Sequence, residues 1–404
     1  MRISTQTLFQ QNVNSLNRQQ GAFLEIGQQI ASGKRVSKPS DDPQAASRAV
    51  GVDQAKAVTQ QYMDARVSAR NALAQSESVL NSASDGITRA KTLLLQASSD
   101  VLSDVDRNSV ASELKGLYES LLGQANSTDG NGRYLFGGYR DDAPPFAKDA
   151  GGAVQYEGDS RNREQQIDAA RKMPVTDTGA DIFQSVHASA GLLAKADGGN
   201  AGNVTYDSPL TTDLSDPAYG QQHRIVFSDD GAGGFDYEIF DAGGASVQTG
   251  AYSEGMRLEV AGMAVDLEGT PVAGDELTLG RATEMEPDLF RTLENAIAVL
   301  EEPANTPAEK AARRNTLNTG LRELDNAQDN ILTVRASVGA RLNELDVVDS
   351  VAGNRMINYE QTLSDLVDLD YVEAAADYSL RQVGLMAAQK AFVDIQGVSL
   401  FDQL

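Results

Sequence analysis

Every seventh residue from Leu317 to Leu366 is apolar or aromatic: Leu317, Leu324, Ile331, Val338, Leu345, Ala352, Tyr359 and Leu366. A companion row four residues further on is mixed. Leu321, Leu342, Met356 and Leu363 fit it, whereas Gln328, Arg335 and Asp349 do not. A seven-residue repeat held over this length is the seam of a long helix lying against other helices. Nearer the other end, Leu73, Leu80, Ile87 and Leu94 repeat at sevens, with Ala83, Ala90 and Ala97 three residues behind. Small side chains in one row let a second backbone approach closely, so the two stripes are expected to be neighbours in one antiparallel bundle. The expected core of this rod is Leu73, Leu80, Ile87, Leu94, Leu117, Leu324, Ile331, Val338, Leu345 and Tyr359.

The sequence between and beyond these stripes changes character several times. Residues 1 to about 32 carry a sparse stripe of Val13, Leu16, Phe23 and Ile30, flanked by Leu24 and Ile26, among uncharged Gln and Asn. Burying some six apolar side chains yields on the order of 10 kcal/mol, and fixing about 30 backbones costs on the order of 30 kcal/mol or more. This segment is therefore expected to order only against a partner. Asp42 before Pro43 predicts a cap and first turn for a helix reaching about Ser99. Ser103, three before Asp106, opens the next, whose stripe is Val110, Leu114, Leu117 and Leu121. From Gly130 a loop-and-strand excursion follows.

Residues 176 to 283 hold 17 of the 36 glycines, and their 17 acids against 4 bases give −13 of the chain's net −24. Alternation at Ile225/Phe227, Phe235/Tyr237/Ile239, Leu258/Val260, Met263/Val265/Leu267 and Leu277/Leu279 predicts a small antiparallel β domain with an acidic outer face. Lying outside the heptad seams, it is expected to be removable without unfolding the rod. The return is helical. Leu289, Leu293, Ile297 and Leu300 mark a short helix, and Thr306-Pro307-Ala308-Glu309 is a capping box opening a helix to about Leu366. A last helix carries two stripes: Val372, Ala376, Leu380, Val383 and Ala387 on one, Leu385, Ala388, Phe392 and Ile395 on another. Two stripes imply contact on two sides. The ends also differ in sign, with 6 bases and 3 acids in residues 1–50 against 2 bases and 6 acids in residues 366–404.

The expected fold is thus mainly α with an inserted β domain, in five regions. They are a terminal-helix segment (1–45), the first half of the rod with a β excursion (46–175) and the β insert (176–283). The second half of the rod (284–365) and a C-terminal helix segment (366–404) complete the chain.

Catalytic chemistry finds little to work with. There is no cysteine, so disulfides, thiolate metal sites and thiol nucleophiles are excluded. His187 and His223 stand alone, and no HExxH, GxSxG or phosphate-cradling loop is present. Asp229-Asp230 and Asp368-x-Asp370 lack the remaining ligands of a calcium loop. No catalytic residue, cofactor or metal is expected. The net charge argues against a nucleic-acid partner, and no apolar run approaches the length of a membrane span. The opening Met1-Arg2-Ile3-Ser4-Thr5-Gln6 lacks the apolar stretch of a cleaved signal peptide.

The stretch from Ser32 to Pro43 resembles the end of the first terminal helix in the flagellin-like family. Met1–Thr5, Ala125-Asn126, Gly132-Arg-Tyr-Leu-Phe-Gly137 and Gly269-Thr-Pro-Val-Ala-Gly-Asp275 resemble its hook–filament junction branch more than flagellin itself. Gly138-Tyr139 and the ending Ser399–Leu404 depart from the pattern. The resemblance implies an extracellular flagellar subunit, exported without signal cleavage and assembled as a ring of its own copies. Its implied neighbours are the first hook-associated protein and flagellin, with a cytoplasmic export chaperone on the C-terminal end. Within that frame Val13, Leu16, Phe23 and Ile30 are expected to pack with Leu380, Val383, Phe392 and Ile395 in the assembled inner tube. The alternatives are a flagellin filament subunit, or a structural stem bearing an adhesive or carbohydrate-binding β module.

Overall fold

The structure is a computed structural model that describes residues 5–99 and 101–397. The opening Met1–Ser4 and the ending Ser399–Leu404, on which part of the resemblance rests, lie outside the described residues. Seven helices of five residues or more are present among the described residues: α1 (Thr5–Ser32), α2 (Pro43–Ala97), α3 (Asp104–Ala125), α4 (Gly179–Phe183), α5 (Leu289–Glu301), α6 (Pro307–Val367) and α7 (Tyr371–Gly397). The 61 residues of α6 span about 92 Å at 1.5 Å per residue. Its start is the capping box read from sequence, with Thr306 N donating to Glu309 Oε2 at 2.8 Å and Glu309 N to Thr306 Oγ1 at 3.2 Å. Ser103 and Asp106 cap α3 in the same reciprocal way. The chain divides into two compact units, Met1–Asp64 with Val347–Leu404, and Ala65–Asp346. Both divisions fall inside a continuous helix.

The larger unit is built on the seam of α2 and α6. Leu73, Leu80, Ile87 and Leu94 share one core with Leu317, Leu324, Ile331, Val338 and Leu345, and every one is fully or almost fully buried. Leu117 of α3 packs on this core while partly exposed. Polar pairs on its flanks step in opposite directions along the two helices: Arg70 with Asp346, Glu77 with Arg335, Ser84 with Gln328, and Lys91 with Asp325. The helices are therefore antiparallel. Gly320 lies where a Cβ would meet Leu94 Cδ2 at 3.2 Å, so the small-residue approach operates on both sides of the seam.

Between α3 and α4 the excursion forms two hairpins, β1 (Phe146–Lys148) with β2 (Val154–Tyr156) and β3 (Glu164–Asp168) with β4 (Arg171–Pro174). Their apolar faces close over the rod. Phe136, Phe146, Phe183 and Phe290 form one aromatic cluster with ring centroids 5.2 to 5.9 Å apart. This corrects the expected boundary of the insert. Ile182 and Phe183 of α4 belong to the rod's core, and Asp177 pairs with Arg341 of α6 at 2.5 Å, so residues from 176 to about 186 are rod and not insert.

The insert proper is a two-sheet sandwich. Strands β5 (Leu192–Ala196), β8 (His223–Asp229), β9 (Phe235–Asp241), β10 (Ser246–Tyr252) and β13 (Glu276–Arg281) make one sheet in the order β10-β9-β8-β13-β5. Strands β6 (Thr205–Tyr206), β7 (Leu210–Thr211), β11 (Arg257–Val260) and β12 (Met263–Glu268) make the other. The inward rows are the alternating residues read from sequence; Ile225, Phe227, Ile239, Leu258, Met263, Val265, Leu267 and Leu279 are buried in a core of their own. Strands β5, β6, β7 and β10 lack that apolar alternation and are legible only in the fold. The β11–β12 hairpin turns on Ala261 and Gly262, both at positive φ (48° and 69°), the two-residue turn whose twist suits paired strands.

Candidate assembly surface

The smaller unit contains both terminal helices, and its geometry begins at the loop between α1 and α2. Gly33 takes a left-handed φ of 70° to end α1, and a Cβ there would meet the Tyr371 hydroxyl at 2.9 Å. The loop then ties itself to the α6–α7 junction. Arg35 N donates to Val367 O at 2.8 Å, Leu369 N to Gly33 O at 3.0 Å, and Arg35 Nη2 to Leu366 O at 2.7 Å. Two neighbouring aspartates organise the rest. Asp41 Oδ2 accepts from Ser37 N, Ser37 Oγ and Lys38 N, and Asp42 Oδ1 caps α2 by accepting from Gln44 N and Ala45 N. The backbone N–H of Lys38 holds Asp41 below the ordinary carboxylate range. The N–H of Ala45, helped by Arg35, does the same for Asp42. Opposite, Asp370 caps α7 through Val372 N and Glu373 N. Its carboxylate, like those of Asp229 and Asp230 in the β8–β9 turn, serves loop amides. Among the described residues no group of three His, Asp or Glu is placed to hold a metal ion.

From this junction α1 and α7 run back along each other in opposite directions. The Phe23 and Tyr378 rings lie 4.8 Å apart, and further along Gln19 meets Gly384. Ile26 is the buried centre of the α1 stripe, and Val13, Leu16, Phe23 and Ile30 are half-buried beside it. On α7 the covered positions are Ala374, Asp377, Tyr378, Gly384, Leu385, Ala388 and Phe392. At 100° per residue these fall on one face. Val372, Leu380, Val383, Met386 and Val393 fall on the opposite face and are exposed, Leu380 to 70% and Val383 to 59%. Within one molecule, then, Leu380 and Val383 do not join the N-terminal stripe; Tyr378 and Ala374, adjacent to the positions read from sequence, take that place. The side chain of Ile395 lies outside the described residues. Tyr359 on α6 is half-buried.

The other motifs of the chain are ties of the same kind. Asn126 bonds both backbone groups of Phe146, donating to its O at 2.9 Å and accepting from its N at 3.0 Å, while Leu135 and Phe136 enter the core. Asp275, buried at the end of the Gly269–Asp275 turn, accepts from the N–H groups of Ala201, Gly202 and Val272. His223 is a buried strand residue whose Nδ1 meets Gln221 O, and His187 is exposed beside Ser189.

Comparison with known proteins accounts for this pattern. Residues 3–141 match the bacterial flagellin N-terminal helical region. The flagellar hook-associated protein 3 of Escherichia coli strain K12 is 33% identical over 402 residues, covering 99% of each chain. The chain belongs to the flagellar hook-associated protein 3 family. The Salmonella typhimurium member is likewise 33% identical, over 404 residues and 99% of each chain. Among solved structures, FlgL of Xanthomonas campestris matches with a TM-score of 0.67 at 31% identity, covering 78% of this chain and 99% of that one. The hook-associated protein 3 of Legionella pneumophila gives 0.68 at 26% identity, over 78% and 98%. In this chain the loop, hairpin and turn motifs are structural ties, and the exposed face of α7 stands apart from them among the described residues.

A row of side chains that heptad counting passed over lies on α6, facing the insert and the rod segment that leads into it. Asn315, Thr319, Asn326 and Asn330 are buried and recur at spacings of four, seven and four. Asn315 Nδ2 donates to Val204 O, Thr319 Oγ1 to Ala194 O, and Asn330 Nδ2 to the carbonyls of Asp181, Ile182 and Ser185, while Asn326 Oδ1 accepts from Gly191 N. Tyr206 joins the row through Thr319 at 2.8 Å, and burial pushes its hydroxyl up to about 12. The signal available in sequence was polar residues recurring with helical spacing beside an apolar seam.

Proposed function

We propose that this chain is the structural subunit joining the hook-associated region of the bacterial flagellum to its filament. In this reading copies form a ring between the first hook-associated protein and flagellin. The observation that carries it is the second apolar face of α7. Val372, Leu380, Val383, Met386 and Val393 line one side of a helix whose other side already holds α1. A helix of a water-facing monomer has no use for such a stripe, whereas a helix packed among identical neighbours buries it. The half-buried N-terminal stripe of Val13, Leu16, Phe23 and Ile30 is expected to gain its remaining cover in the same step. The terminal segments then become rigid on assembly. Export through the flagellar secretion channel without signal cleavage, and a cytoplasmic chaperone held at the C-terminal end before assembly, belong to the same reading.

Two measurements test it. Labelled protein should decorate the junction of hook and filament on cells as a single narrow band; label along the whole filament favours a flagellin, and label only on bound glycans favours an adhesive stem. Hydrogen exchange should be fast across residues 5–32 and 371–397 in dilute monomer and slow in the assembled ring. Strong protection of both segments in a dilute monomer overturns the assembly-coupled ordering.

A further inference from the structure

Where the chain leaves the insert and starts α5, three oxygen atoms are placed around too few protons. Asp288 caps the helix, its Oδ1 accepting from Phe290 N at 2.8 Å and Arg291 N at 3.1 Å and its Oδ2 from Gln184 Nε2 at 2.8 Å. Its carbonyl accepts from Thr292 N. The buried Thr292 Oγ1 lies 2.8 Å from that same carbonyl and 2.8 Å from Glu323 Oε2 of α6. A threonine hydroxyl has one proton, and a carbonyl and a carboxylate have none. If Glu323 is ionised, one of the two short oxygen–oxygen contacts has no hydrogen in it. If Glu323 is protonated, both are satisfied: the carboxyl donates to Thr292 Oγ1, and Thr292 donates to Asp288 O.

We propose that Glu323 is a proton-dependent clasp between α6 and the first turn of α5, with both of its oxygen contacts satisfied when it is neutral and one of them left without a hydrogen when it is ionised. The surroundings are consistent. Glu323 is partly buried beneath Phe183, Val186 and Leu193, which bring no charge. Burial holds its carboxyl above the ordinary glutamate range, and the Asp288 carboxylate on α5 pushes the same way. Lys195 on β5, the Thr292 hydroxyl when it donates to the carboxylate, and Arg291 on α5 oppose this, and Tyr206 on β6 faces the group as a neutral phenol. The position gives the proton its leverage. Strand β5 carries the chain into the sandwich and α5 receives it just after β13, so both connections of the insert meet at this residue. A carboxyl whose pKa is raised on folding stabilises the fold fully below its unfolded value, and that contribution is lost as pH rises through the folded value.

Carboxyl ¹³C titration of the full chain, with Glu323→Gln as the assignment control, reads the group directly. The expected result is a Glu323 midpoint above that of a model glutamate, the direction that burial imposes. Glu323→Gln keeps a donor to Thr292 and cannot ionise. Its unfolding midpoint in urea should match that of the natural chain near pH 4 and exceed it near pH 8. A Glu323 midpoint in the ordinary range, or a difference between the two proteins that does not change with pH, overturns the proposal. Should the Gln variant fail to fold, the titration of the natural chain still decides, with Thr292→Val expected to move the Glu323 midpoint.

Discussion

Replacing Leu380 and Val383 together by alanine separates the two faces of α7. Alanine is the best helix former, so the change leaves the helix intact and removes only apolar surface. Truncation deletes three carbons from Leu380 and two from Val383, worth about 2.4 and 1.6 kcal/mol at ~0.8 kcal/mol per carbon when fully buried. Only surface still exposed in the monomer is available to a neighbour, and that is 70% for Leu380 and 59% for Val383. The scaled loss is about 1.7 plus 0.9, or about 2.6 kcal/mol per contact, which is about 70-fold in affinity at ~1.4 kcal/mol per decade. Binding of labelled protein to isolated hooks carrying the first hook-associated protein should show this as a rise in half-saturating concentration. The thermal unfolding of the monomer should stay within about 0.5 kcal/mol of the natural chain, since these side chains are largely exposed. A half-saturating concentration unchanged within about twofold would refute the assignment of this face to a neighbouring copy. A clear fall in monomer stability would refute it differently, by showing that the stripe is already packed.

Four further outcomes follow from particular contacts. Asn330→Asp strips donors from the Asp181, Ile182 and Ser185 carbonyls and should cost about 3 kcal/mol at neutral pH, partly recovered near pH 4 where the new carboxyl can donate; equilibrium urea unfolding at both pH values checks it. Deleting residues 176–283 removes Ile182 and Phe183 from the rod and should cost about 5 to 8 kcal/mol, abolishing cooperative unfolding, whereas a deletion that keeps 176–186 should melt cooperatively by circular dichroism. Ala261→Asn should raise stability by about 0.5 to 1 kcal/mol in thermal melts, because asparagine tolerates the left-handed φ of 48° better than alanine. The Asp41 and Asp42 carboxyls are both held low by hydrogen bonds, so their contribution to the α1–α2 loop is present above the ordinary aspartate range and lost as pH falls through the depressed folded values. Carboxyl ¹³C titration should place both midpoints below a model aspartate, and Asp41→Asn should flatten the acid dependence of the loop's amide shifts.

What the amino-acid order determined by itself was everything carried by short-range period and end chemistry. The heptad row from Leu317 to Leu345, the Leu73–Leu94 stripe, the Thr306–Glu309 and Ser103–Asp106 boxes and the alternating strands of the insert are all visible within a few turns or strands of chain. Each depends on neighbours three, four, seven or two residues away, so a linear reading finds it. The two stripes of α7 were equally visible, and both are real faces. Which of them α1 covers was not, because equal apolar periods carry no address; packing gave Tyr378 and Ala374 to the chain and left Leu380 and Val383 outside. The same holds for Asn315, Thr319, Asn326 and Asn330, whose polarity reads as surface until backbone groups more than a hundred residues away arrive to be bonded. It holds too for Phe183, which lies among residues of insert-like composition and finishes in the rod because three other rings leave a space of its size. Local sequence fixes what a segment wants to bury or bond; only the folded chain brings the distant group that decides where.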